Sequence, residues 1–109
     1  MKTFDVKTED RGGAVLLTLT GELDISSAVK VEDELSRVEP KKPEQIVLDL
    51  SALDFMDSTG LRLLIAADAR ARDEGRRLTI VKGPEPVQRV FRITRLEERL
   101  DLVDEAPAA

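Results

Sequence analysis

The run Ile46-Val47-Leu48-Asp49-Leu50 alternates too little between apolar and polar residues to be a half-exposed strand. It reads as a central strand buried on both faces, the situation of strands in parallel sheets. A tight polar turn follows, and an apolar stripe at helical spacing (Leu61, Leu64, Ile65, Ala69) continues to about Glu74. A buried strand leading through a turn into an amphipathic helix commits the chain to an α/β architecture, because a parallel neighbour is reached only through such a crossover.

The flanking segments fit that frame. Phe4 and Val6 alternate with polar residues, Asp10 to Gly13 is a Gly-rich turn, and Ala14 to Thr20 forms a second strand that Gly21 ends. Two strands across such a turn predict an antiparallel hairpin. Asp24 or Ser26 caps a helix carrying Ala28, Val31, Leu35 and Val38, which Pro40 stops. After the central strand and its helix, Gly75 stands as the residue just past the helix end. Leu78 to Val81 is a further strand, and Gly83-Pro84 opens a last helix with Val87, Val90, Phe91 and Thr94 on one side. Leu100, Leu102 and Val103 suit an edge strand or a helical turn. The expectation is a single domain over 1–109, with its core from about residue 3 to 104 and a frayed tail over 105–109. Its sheet is four- or five-stranded, mixed but mostly parallel, with an antiparallel edge strand and flanking helices.

Composition narrows the function. The 109 residues include neither cysteine nor histidine, so thiol chemistry, disulfides and the commonest general base are excluded. A net charge of −5 argues against direct binding to nucleic acid, and three Phe without Trp or Tyr make a poor stacking platform. No segment approaches the length of a membrane helix, and the start lacks the apolar run of a signal peptide. The expectation is a soluble cytoplasmic protein that is not an enzyme and carries neither metal nor cofactor.

Loops at the carboxyl ends of parallel strands gather at one edge, where sites form. Here they are 21–24, 51–59 and 82–85, which should bring Asp24, Asp54, Asp57 and Ser58 together, with Lys82 as the nearby cation. Asp and Ser are also ordinary turn and cap residues. If Asp57 is the N-cap, Met56 precedes it and Leu61 is the fourth helical residue, the pair that forms a hydrophobic staple. Ser58 is then the first helical residue, with its hydroxyl free of capping duty. Placing the cap at Ser58 loses the staple.

The stretch Leu48 to Leu61 resembles the signature of STAS domains, the anti-sigma factor antagonists, and Gly21-Glu22-Leu23-Asp24 resembles their second recurrent element. The resemblance runs from Phe4 to about Val103. It implies a partner switch in which the unmodified form binds an anti-sigma factor serine kinase and frees a sigma factor. Phosphorylation of Ser58 separates the pair, and a PP2C-type phosphatase resets it. Thr59 is the second choice of acceptor. The implied contact residues are Glu22, Asp24, Met56, Asp57, Ser58, Thr59, Gly60 and Arg62. Arg95 stands where many relatives have glycine, which leaves the path after the last helix open. Competing readings are an unphosphorylated structural subunit of a transport or signalling assembly and a small-ligand-binding module. The latter lacks a Gly-rich loop between strand and helix.

Overall fold

In the computed structural model, which describes residues 4–107, the chain forms one five-stranded sheet in the order β1-β2-β3-β4-β5. The strands are β1 (Asp5–Asp10), β2 (Ala14–Leu23), β3 (Gln45–Met56), β4 (Arg77–Val81) and β5 (Leu102–Val103). β1 runs antiparallel to β2, and every other neighbouring pair is parallel. The hairpin turn is closed by Asp10 Oδ1, which accepts the Gly12 N–H at 3.1 Å, while Gly12 and Gly13 take the positive φ the turn requires. Three crossover helices join the parallel strands: α1 (Ala28–Val38), α2 (Ser58–Asp73) and α3 (Glu85–Thr94).

Strand order follows chain order, so right-handed crossovers place all three helices on one side of the sheet. Burial agrees. The main core joins Ala28, Val31, Leu35, Leu64, Ala67, Val87 and Phe91 of the helices to Leu17, Leu19, Ile46, Leu48, Leu50 and Ile80 of the strands. The opposite face carries a smaller cluster, Leu16, Val47 and Val81, covered by Val103 and Ala106 rather than by a helix. Ala106 and Pro107 also line a small gap against Leu16 and Val47, so this part of the expected frayed tail lies against the sheet.

Several boundaries differ from expectation for identifiable reasons. Gly21 does not end β2. Its φ of 98° absorbs a shift of register, and the strand continues to Leu23. β3 likewise runs past Leu50 to Met56 beside it, so the polar turn expected at 51–56 is strand. On α2 the buried stripe is Gly60, Leu61, Leu63, Leu64, Ala67 and Ala71, whereas Ile65 and Ala69 face outward. Steps of four residues drift by about 40° each around a helix, and alternating threes and fours keep to the sheet side. The end of α2 is as expected: Gly75 at φ 70° donates to Arg72 O, and Arg76 N donates to Ala71 O at 2.8 Å. α3 ends at Arg95, which takes the left-handed conformation (φ 59°) that favours glycine, and one 3-10 turn, Leu96–Glu98, leads to β5. No helix among the described residues is long and apolar enough to cross a membrane.

Candidate functional site

The ends of β2 and β3 lie side by side. Leu23 pairs with Met56, Glu22 pairs with Phe55, and the Asp57 N–H donates to Leu23 O at 3.2 Å. The two segments that carry Asp24 and Asp57-Ser58 are therefore fastened together at the carboxyl edge. Asp57 is the N-cap of α2 in extended conformation, and its Oδ1 accepts the N–H groups of Thr59 (2.9 Å) and Gly60 (3.3 Å). This satisfies two of the donors that a helix start leaves open. Ser58 is the first helical residue, exposed, and its hydroxyl has no hydrogen-bond partner among the described residues. Thr59 is only half exposed.

Beneath the cap the packing is close. A Cβ on Gly60 would stand 2.7 Å from Met56 Cγ and 2.9 Å from Leu23 Cγ, so only glycine lets the first turn of α2 settle on these two side chains. Met56 is fully buried and Gly60 is buried as well. Both lie beneath the serine and leave little surface of their own exposed. Met56 and Leu61, the two halves of the expected staple, both belong to the core.

Asp24 closes the turn ahead of α1. Its Oδ1 accepts from Ser26 Oγ (2.7 Å) and from the N–H groups of Ser26 and Ser27, while Ala28 N donates to its carbonyl. The Ser26 hydroxyl bond, chief among these, lowers the Asp24 carboxyl below its ordinary value, and the edge keeps that charge at neutral pH. Ser26 itself caps nothing; its hydroxyl donates to Asp24. Lys82 is not part of the constellation, because its ammonium lies 3.4 Å from Asp104 beside β5. Glu22 and Arg62 are exposed. Sequence reasoning missed Ile25 and Phe55, apolar residues left in solvent at the same edge. Their signal was available: each directly follows a predicted site aspartate, Asp24 and Asp54. No group of three or more acidic residues among those described is placed to hold a metal ion. The edge thus offers an accessible hydroxyl on a rigid mount, suited to receive a group from another protein's active centre.

Comparison with known proteins agrees with this architecture. The family model described as "Mlab, STAS domain" matches residues 6–104. The anti-sigma-F factor antagonist RsfB of Mycobacterium tuberculosis is 34% identical over 68 residues, 62% of this chain and 56% of the relative, so the match spans little more than half of that protein. The anti-sigma F factor antagonist of Paenibacillus polymyxa is 26% identical over 93% of this chain and 87% of its own length. The crystal structure of an anti-sigma factor antagonist from Mycobacterium paratuberculosis superimposes with a TM-score of 0.85 at 27% identity, covering 94% of this chain and 87% of that one. With its five-stranded mixed sheet, its one-sided helices and a family match over nearly its whole length, the chain belongs to the STAS domain family.

Proposed function

We propose that this chain is an anti-sigma factor antagonist whose binding to an anti-sigma factor serine kinase is switched off by phosphorylation of Ser58. One observation carries the reading: the Ser58 hydroxyl is exposed and without a hydrogen-bond partner among the described residues at the start of α2, while its neighbour Asp57 does the capping. A kinase can therefore take this hydroxyl without dismantling the helix start. In the transfer, the serine oxygen bonds to the terminal phosphorus of a nucleoside triphosphate, the diphosphate leaves, and the hydroxyl proton passes to a base on the kinase. The names of the relatives, anti-sigma factor antagonists, support an anti-sigma factor as the partner. Hydrolysis by a PP2C-type phosphatase would restore the hydroxyl.

Phosphate adds about −1.5 to −2 charges at neutral pH. The helix N-terminus tolerates that charge, so the fold has little reason to change. A docked partner does not tolerate it, because a misplaced interfacial charge costs about 2–5 kcal/mol. The docking face comprises Glu22, Asp24, Asp57, Ser58, Thr59 and Arg62, with Ile25 and Phe55 as its apolar part. Labelling with the cognate kinase tests the acceptor. Ser58→Ala should abolish incorporation while retaining binding, and Thr59→Ala should be labelled like wild type. Normal labelling of Ser58→Ala, with loss in Thr59→Ala, would move the acceptor to Thr59.

A further inference from the structure

Arg62 lies four residues beyond Ser58 on α2, so the two side chains are neighbours on one exposed face. Helical side chains lean toward the helix N-terminus, which directs the Arg62 guanidinium back toward the serine. Four of the other five arginines of the helices are ion-paired, Arg37 with Glu34, Arg70 with Glu39, Arg72 with Asp68 and Arg92 with Glu85, whereas Arg89 of α3 makes no ion pair among the described residues. Arg62 makes no ion pair or hydrogen bond among the described residues. The adjacent acid, Asp57, has its Oδ1 committed to Thr59 and Gly60. An acid placed N-terminal to a base at this spacing is the favourable order, and the guanidinium fork matches phosphate oxygens.

We propose that Arg62 becomes the counter-ion of phosphoserine 58 within the same chain. Resting on Ser58 as the acceptor, this gives the modification two effects on the docking face. It introduces a dianion, and it withdraws a cation that the unmodified chain holds ready for an acidic group of the partner. The self-pairing also binds part of the new charge inside the chain, in keeping with an unchanged fold.

The test installs phosphoserine at position 58 during synthesis, so that no kinase is needed, and follows the second phosphate ionisation by phosphorus NMR. The wild-type background should titrate a few tenths of a pH unit lower than Arg62→Gln. Arg62→Lys should recover part of the difference, and roughly 0.5 M salt should shrink it. Coincident titration curves for wild type and Arg62→Gln at low salt would overturn the proposal. Failure of the acceptor assignment would appear elsewhere, as a kinase that leaves Ser58 unlabelled while the synthetic phosphoprotein still shows the difference.

Discussion

Gly60 decides how closely the first turn of α2 can approach the sheet. In an ordinary helix an alanine there would be stabilising by up to about 1 kcal/mol. Here its methyl would meet Met56 and Leu23 inside contact distance, and both side chains are fully buried with nowhere to move. Gly60→Ala should therefore lower the stability by about 1–3 kcal/mol in urea unfolding, opposite in sign to helix propensity. The same residues show what the sequence could reveal. The choice of Asp57 over Ser58 as cap was legible, because only that register puts apolar Met56 and Leu61 in staple positions. Whether Met56 touches a partner was not legible, since its burial depends on Leu23, a residue far off in sequence. Lys82 misled for a related reason: its partner Asp104 directly follows the last strand, whose position was open.

Elements are tied across the sheet edge by polar groups as well as by packing. Glu34 on α1 accepts from Arg37 Nε (3.0 Å) and Nη2 (2.6 Å) and from the Thr8 hydroxyl of β1. The Arg37 bonds first, then Thr8, bring its carboxyl from an ordinary 4.5 down to about 2. A folded value below the unfolded one stabilises the protein above about pH 4.5, and that contribution disappears as pH falls toward 2. In urea unfolding across that range, wild type should lose stability more steeply than Glu34→Gln, and the two should run parallel at neutral pH. Element types and order were legible from apolar periodicity, and α1 was legible down to its buried residues Ala28, Val31, Leu35 and Val38. The lengths of β2 and β3 were not. Ser51 to Met56 contains the residues of a turn, and nothing local tells that Thr20 to Leu23 will run alongside as a pairing partner. The strand exists because its neighbour does, and glycine at 21 serves a bulge rather than a stop.

Among the described residues the molecule is lopsided, with helices on one face and the segment around Val103 and Ala106 across the other. Ala106 and Val103 cover Leu16, Val47 and Val81. Removing residues 104–109 should take Ala106 off that strip while leaving Val103, cost about 1 kcal/mol in urea unfolding and increase binding of a hydrophobic dye. Ser58 stands at the carboxyl edge, away from this strip, on a mount fixed by the Asp57 cap, the Leu23 carbonyl and the Gly60 contact. That arrangement lets charge change at the surface without repacking underneath. The most direct measurement is calorimetric titration of the proposed partner, an anti-sigma factor kinase, with the unmodified chain and with the chain carrying phosphoserine at 58, each also unfolded by heat. The account predicts roughly a hundredfold or greater loss of affinity with nearly the same unfolding temperature. Equal affinity for both forms, or a phosphorylated chain that melts much earlier, would contradict it.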